Sequence, residues 1–280
     1  MFRACGHSFH RRGGSRFSPG LGARGPGRLL TAHAALVYFF LYGPIAVLVV
    51  LSFNESGLPT AWGGFSTKWY GALAENEAIL RSVVNTLIVA VISTLLSTAI
   101  GTLLAMGLER GRRSSFLDAF VFVPMIIPDI VLAIALLSFY NLLNVTLGLH
   151  SIVLSHVVFN IAFVCAVVRT RLRDFDYAIV EASIDLGASQ WTTFWRIVLP
   201  VIFPGVLSGA LLAFTLSVDE FIIAFFTAGA GPASTTFPMQ VYSMIRFGVT
   251  PEVNAIATLV LGVSFTLILL SQRMGKTMTP

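Results

Sequence analysis

The chain has 280 residues, of which 56% are hydrophobic and only 11% are charged, and its mean hydropathy is +0.84. Soluble domains contain roughly 25% charged residues. The composition therefore excludes a soluble enzyme, a disordered regulator and a nucleic-acid-binding protein, despite the net charge of +5. The two cysteines, Cys5 and Cys165, are too few for a metal cage. We predict an all-α membrane protein whose main surrounding is a lipid bilayer.

The N-terminal residues 1–28 are rich in Arg, Ser and Gly, and the first acidic residue of the chain is Glu55. The apolar run that follows this segment is too long for a cleaved signal peptide. We therefore predict that residues 1–28 form a disordered basic tail in the cytoplasm; the alternative is that the reading frame has been given too early a start.

Stretches without Lys or Arg predict six transmembrane helices, because about 20 apolar residues are needed to cross the hydrocarbon core of a bilayer. In chain order they are residues 29–53, 82–108, 116–139, 147–168, 203–228 and 254–271.

Charge placement predicts the orientation, because Lys and Arg concentrate in cytoplasmic segments. With both termini in the cytoplasm, only Lys68, Arg81 and Arg246 of the 18 Lys and Arg residues lie outside. The others, among them Arg169, then lie on the cytoplasmic side. Residues 272–280 form a second cytoplasmic tail.

The cytoplasmic loop 177–200 begins with a predicted short helix. Apolar residues such as Ile179 and Leu186 follow a helical spacing. Glu181 and Asp185 are like charges four residues apart, which slightly destabilises an isolated helix. A basic partner surface would make this pair tolerable.

A tight turn and a second helix are predicted to follow. Gly187 can end the first helix in the left-handed conformation, and Ser189 can cap a helix that begins near Gln190. Pro200 is expected to stop that second helix where the next span begins.

The residue spacing of this loop is specific. It runs Glu181-Ala182-Ser183, three residues, Gly187, nine residues, and Ile197-Val198-Leu199-Pro200. This pattern resembles the EAA loop of ABC importer permeases, from which only Ser183 departs, in place of an alanine. In that family the loop is the coupling helix, which docks into a separate ATPase subunit. The coupling residues implied here are Glu181, Ala182, Ser183, Asp185, Gly187, Ala188, Ile197, Leu199 and Pro200.

The resemblance implies a type I ABC importer permease fold (MetI-like) over residues 80–271, with the first span, 29–53, added in front. It also implies a bacterial inner-membrane complex with a second permease chain, a pair of ATPase subunits and a periplasmic substrate-binding protein. No GxxxxGK[ST] motif occurs in this chain. We therefore expect no cofactor and no enzymatic activity here, with ATP and Mg²⁺ bound by the ATPase partner.

Three acidic residues lie well inside the predicted spans, where an ionisable group is a functional candidate. They are Asp129, Asp219 and Glu220, and no Lys or Arg lies inside a span to pair with them. Asp129 falls near the middle of its span, just after Pro124 and Pro128, which should interrupt the helix. Asp219 falls toward the outer leaflet.

Aromatic residues follow the acidic pair, Phe221 and Phe225 among them. Unpaired carboxylates beside ring faces suit an organic cation, because rings attract cations electrostatically. Two alternatives remain: the acids are protonated, or they pair with the other permease chain. In the fourth predicted span, His156 and Asn160 are four residues apart and are expected to form interhelical hydrogen bonds.

Further motifs resemble the polyamine branch of these permeases, the C-type subunits of spermidine/putrescine importers. They are Pro128-Asp129-Ile130-Val131, Leu216-Ser217-Val218-Asp219-Glu220-Phe221 and Tyr242-Ser243-Met244. The segment 237–247 is expected to fold back at the outer gate or to contact the binding protein. The predicted substrate-path residues are Asp129, Asp219, Glu220, Phe221, Phe225 and Tyr242.

Two other functions stay open at this point. One is an ABC permease for ferric iron, thiamine or an anion. The other is a secondary transporter driven by an ion gradient, with Asp129 and Asp219 as proton or sodium sites.

Overall fold

The computed structural model describes residues 27–58, 61–110, 115–246, 248 and 250–277. The helices are α1 Arg28–Leu51, α2 Lys68–Glu75, α3 Glu77–Arg110, α4 Ser115–Ile126, α5 Asp129–Leu142, α6 Leu149–Arg173, α7 Ala178–Asp185, α8 Gln190–Thr193, α9 Leu199–Asp219, α10 Ile222–Thr227, α11 Phe237–Ile245 and α12 Pro251–Thr277. Within these ranges the only β-type pairing is an isolated bridge between Asn54 and Phe65. The prediction of an all-α protein is confirmed.

The chain divides into two compact units between Leu48 and Val49. Most of α1 belongs to the first unit, and the helices from α2 onward belong to the second. The predicted tail 1–28 lies outside the described residues, except for Gly27 and Arg28.

Four helical stretches are long and apolar enough to cross a membrane. They are Leu29–Leu51, Glu77–Glu109, Leu149–Arg173 and Gln190–Asp219. The α4–α5 pair meets the same criteria only as a unit, and the two helices are bent by 105°. The last apolar stretch, Pro251–Thr266 in α12, is shorter. The described residues therefore hold four spans, or five with the bent pair, and the predicted count of six is not reproduced in full.

The bend between α4 and α5 lies at Pro128, which precedes the first residue of α5. Proline lacks an N–H and its ring clashes with the carbonyl four residues earlier, so a helix breaks there. Pro124, in contrast, stays inside α4. The predicted interruption before Asp129 is thus confirmed at Pro128 and wrong at Pro124.

Pro200 does not stop a helix, contrary to the prediction. Residues Phe194–Val198 form a π-helical segment that joins α8 to α9 without interruption. The N–H of Leu199 bonds to the carbonyl of Phe194, five residues back. This wider turn changes the bonding pattern just before Pro200, and the continuous helix accommodates the missing N–H of the proline there.

The core of the second unit lies where α3, α6 and α9 pack together. Gly101 of α3 allows close approach, because a Cβ there would lie 2.9 Å from Val164 of α6. A buried apolar cluster joins these helices, with Cys165 fully buried in it as the small packing residue that its apolar surroundings favour.

Candidate functional site

The first candidate site begins with a break in the predicted span 203–228. The helix α9 ends at Asp219, Glu220 is extended, and α10 starts two residues later. The Glu220 carboxylate accepts a hydrogen bond of 2.7 Å from the N–H of Ile223. Such a side-chain oxygen satisfies a donor that the start of a helix leaves free. Glu220 therefore stabilises the break in addition to bringing a negative charge.

The break brings the three predicted acids together. Asp129 is the first residue of α5, and α5 packs against α10. Both Asp129 and Asp219 interact electrostatically with Glu220. Asp129 and Glu220 are half-buried and Asp219 is exposed. Among the side chains that the structure describes, none forms an ion pair with any of the three.

Aromatic side chains surround Phe221, the residue that follows Glu220 in the chain. The ring centroid of Phe221 lies 4.8 Å from that of Tyr242 and 5.4 Å from that of Phe225. The rings of Phe225 and Tyr242 are 6.1 Å apart, and these residues are 49% and 46% exposed, respectively. Phe221, Phe225 and Tyr242 thus form one aromatic cluster, which Phe221 connects along the chain to Glu220 and Asp219.

Tyr242 reaches this cluster from α11. The segment before α11 is tied to α3, since the Asn85 amide donates to the carbonyls of Ala233 and Thr235 at 3.2 and 2.9 Å. The N–H of Phe237 also donates to Thr86 Oγ1 at 2.7 Å. With only nine residues, α11 is too short to cross a bilayer. The role predicted for segment 237–247 stays a prediction, and Phe247 lies outside the described residues.

The second candidate site is the two-helix elbow formed by α7 and α8. Gly187 has a φ of 85°, and its N–H bonds to the carbonyl of Ile184 while the N–H of Ala188 bonds to that of Ser183. This is the Schellman arrangement, which ends a helix with a left-handed residue. The side chain of Ser189 accepts from the N–H of Thr192 at 3.2 Å. The predicted turn and cap are both confirmed.

The elbow presents apolar and acidic side chains outward. Ile179 and Leu186 are 46% and 89% exposed. They line a concavity of about 430 Å³ together with Ala182, Ser183, Ala188, Thr192, Arg196 and Ile197. Glu181 and Asp185 are also exposed. An apolar concavity and exposed carboxylates on the same short helix can receive a partner that offers apolar and basic groups.

The remaining residues of the motif lie inside the fold or next to it. Ser183 is buried, and its hydroxyl shares a 2.9 Å hydrogen bond with Thr193 Oγ1. The one departure from the family pattern therefore links α7 to α8. Leu199 packs against the core cluster, and Pro200 is exposed on α9.

Sequence analysis missed a buried ion-pair cluster centred on Arg169. Its guanidinium donates to Glu109 Oε1 at 2.8 Å and to Asp118 Oδ1 at 2.9 Å, and it lies 5.7 Å from the ring centroid of Phe122. The side chains of Arg169 and Glu109 are each only 8% exposed. These residues come from α3, α4 and α6, so no local spacing could reveal their contact.

Long apolar helices, an acidic and aromatic cluster at two helix breaks, and an exposed elbow define a membrane-embedded transport subunit. The model of the family described as "binding-protein-dependent transport system inner membrane component" matches residues 97–276, and the chain belongs to this family. It is therefore a permease subunit of an ABC importer and a transport component rather than an enzyme, as the EAA-loop resemblance implied.

The relatives include proteins from the branch that the sequence motifs indicated. The spermidine/putrescine transport system permease protein PotC of Escherichia coli strain K12 is 41% identical over 256 residues, which is 90% of this chain and 96% of that protein. The putrescine transport system permease protein PotI of the same strain is 41% identical over 236 residues, with 81% and 83% covered. PotC of Haemophilus influenzae is 37% identical over 246 residues, with 87% and 95% covered.

Solved structures share the fold at low sequence identity. A chain of a bacterial ABC transporter that imports the acidic polysaccharide alginate matches with a TM-score of 0.70 and 18% identity, with 90% of this chain and 96% of that chain covered. A chain of the MetNI methionine ABC transporter, in an inward-facing conformation, matches with a TM-score of 0.57 and 20% identity, with 72% and 96% covered. The type I ABC importer permease fold is thus shown.

Proposed function

We propose that this permease carries polyamines, or a similar organic cation, into the cytoplasm by alternating access. The observation that carries the proposal is the cluster of Asp129, Asp219 and Glu220, which has no ion-pair partner among the described side chains. The names of the PotC and PotI relatives, which specify spermidine and putrescine, support the same substrate class.

The energetics favour a cation at this cluster. At an effective dielectric constant of about 20, a carboxylate roughly 4 Å from an ammonium group contributes on the order of 4 kcal/mol before desolvation costs. An accessible ring adds about 0.5–2 kcal/mol of cation–π attraction. The exposed rings of Phe225 and Tyr242 can supply this attraction. A polyamine has ammonium groups for the carboxylates and a methylene chain for the rings.

The proposal includes the partners and the orientation. The chain pairs with a homologous permease, a pair of ATPase subunits that bind ATP and Mg²⁺, and a periplasmic substrate-binding protein, and both its termini lie in the cytoplasm. The family description supports a binding protein and an inner-membrane location. The exposed elbow supports a docking role for segment 177–200, through which ATP-driven closure reaches the spans.

Reconstitution tests this function against its alternatives. Proteoliposomes containing the full complex should take up labelled putrescine or spermidine only with ATP and the binding protein, and excess thiamine or ferric iron should not compete. Uptake by this chain alone, driven by an ion gradient, would identify a secondary transporter. Competition by thiamine or iron, with no polyamine uptake, would leave the ABC permease and replace its substrate.

A further inference from the structure

Polar side chains are buried at the centre of the interface between α3, α6 and α9. His156 is 1% exposed, and its Nδ1 lies 2.6 Å from the hydroxyl of Ser217. The Ser217 hydroxyl is in turn 2.9 Å from that of Ser93. One hydrogen-bonded chain therefore joins all three helices, and the expected interhelical bonding of His156 is confirmed.

Several buried polar atoms of α3 and α6 have no hydrogen-bond partner within the described residues. They are His156 Nε2, both amide atoms of Asn160, and the hydroxyl oxygens of Thr94 and Thr98. Asn160 is 0% exposed, so bulk solvent does not reach it. The interhelical bonding expected of Asn160 is thus not found. Buried polar groups in native proteins nearly always have a partner, which is often an ordered water molecule.

The residues that carry these atoms lie in adjacent turns of α3 and α6. His156 and Asn160 are four residues apart on α6 and so share one face of that helix. The helices α3 and α6 run parallel, and Gly101 marks the level of Val164. Thr94 and Thr98 lie on α3 between the serine chain and Gly101, and hence at the level of Asn160.

The chemistry of the atoms selects the ligand. Asn160 offers both a donor and an acceptor, and a cation could bond only to the acceptor. His156 Nε2 is a donor or an acceptor according to which atom holds the proton in the bond to Ser217. Water molecules both donate and accept, so they can bond to the donor as well as to the acceptor atoms of this set.

We propose that His156 Nε2 and the side-chain amide of Asn160 bind internal water. The site has a consequence for the candidate substrate path, because Ser217 lies in the last turn of α9, two residues before Asp219. Water that holds His156 in place thereby positions the end of α9. This inference goes beyond the proposed function and does not depend on which substrate is carried.

Radiolytic hydroxyl-radical footprinting of the purified complex tests the site. Radicals formed from bound water modify adjacent side chains even where bulk solvent is excluded. We expect modification of His156 despite its 1% exposure. Cys165 on the same helix is the matched control, because it is 0% exposed and lies in an apolar cluster. Modification of His156 no greater than that of the more reactive Cys165 would overturn the proposal.

A variant gives an independent measurement. Asn160→Leu replaces the amide by an apolar group of similar size. If water bonds to the amide, the substitution removes these hydrogen bonds, and the thermal midpoint of the complex should fall or stay unchanged. The radical modification of His156 should also decrease, because less water is held beside it. An amide without bound water would instead destabilise the wild-type protein, because its buried polar atoms would have no hydrogen-bond partner. Its removal would then raise the thermal midpoint by a few degrees, and that result would contradict the proposal.

Discussion

Two clusters of carboxylates in this permease are built in opposite ways. Near the carboxyl end of α6, Glu109 and Asp118 both bond to the guanidinium of Arg169. Where α9 ends, Asp129 and Glu220 lie near each other with no ion pair to a described side chain. The first cluster holds its own cation, whereas the second has its negative charge available.

The difference shows that burial of an acidic residue does not by itself indicate a transport role. A buried carboxylate with a bonded guanidinium joins helices, and its removal disturbs the fold. Removing the charge of a half-exposed carboxylate without an ion-pair partner should cost little folding free energy. Such a carboxylate can bind a cation that enters the transport path. Charge removal should therefore affect stability at the first cluster and uptake at the second.

The largest effect is expected for Arg169→Met. It removes the 2.8 Å ion pair of the buried Glu109 and leaves only the exposed Arg173, at 4.0 Å. Breaking a buried pair costs about 3–5 kcal/mol. The amount of folded complex, measured by size-exclusion chromatography and blotting, should fall sharply. Arg173→Met is the control, because the Arg173 side chain is 65% exposed and 4.0 Å from Glu109. Equal amounts of both variants would mean that the Arg169 cluster is not structural.

Next in size is Gly187→Val, which provides a transport-deficient reference with both clusters intact. A β-branched residue at a φ of 85° is strained by about 1–3 kcal/mol. Substrate-stimulated ATPase activity and uptake should both drop while the spans still insert. Gly187→Asn should retain more activity, since asparagine tolerates positive φ. Wild-type activity in Gly187→Val would remove the elbow from the coupling mechanism.

The double variant Asp219→Asn, Glu220→Gln should change the free energy of folding less than the two variants above. Its effect should instead be specific to substrate uptake. If only a quarter of the roughly 4 kcal/mol Coulomb term persists, polyamine uptake falls several-fold. The amide oxygen introduced by Glu220→Gln can still accept from the N–H of Ile223, so the break in the helix is preserved. Glu220→Gln alone should be milder, because water can take the place of its longer side chain.

Labelled putrescine or spermidine uptake in cells without other importers is the measurement, with permease abundance checked by blotting. Glu77→Gln makes a matched charge change on an exposed residue at the start of α3 and should leave uptake unchanged. Normal uptake in the double variant would show that these acids are structural.

The smallest effect is expected for Asp118→Asn. Asp118 is 34% exposed, and Arg169 keeps its bond to the more buried Glu109. A partly solvated pair contributes about 1 kcal/mol or less, so the thermal midpoint should fall only slightly. Glu109→Gln should lower it more. The reverse order would mean that the bond to α4 is the one that stabilises the cluster.

Local sequence patterns predicted much of the functional anatomy. Apolar run length and low charge indicated a helical membrane protein, because a bilayer excludes unpaired backbone groups. The turn at Gly187 and the cap at Ser189 depend on residues a few positions apart, so spacing alone was sufficient to predict them. The absence of a basic residue beside the intramembrane acids was also visible in the sequence.

The tertiary structure decided what depends on residues far apart in the chain. The Arg169 bond to Glu109 spans 60 positions, the bond between His156 and Ser217 spans 61, and the Ser93 bond to Ser217 spans 124. The interruption before Asp129 was predicted, but its 105° angle and the break of the predicted span 203–228 after Asp219 were not. Sequence periodicity indicates which faces of a helix are apolar, but only packing determines which helices contact each other. The sequence could therefore identify Asp129, Asp219 and Glu220 as intramembrane acids, whereas the tertiary structure determined that Asp129 lies near Glu220.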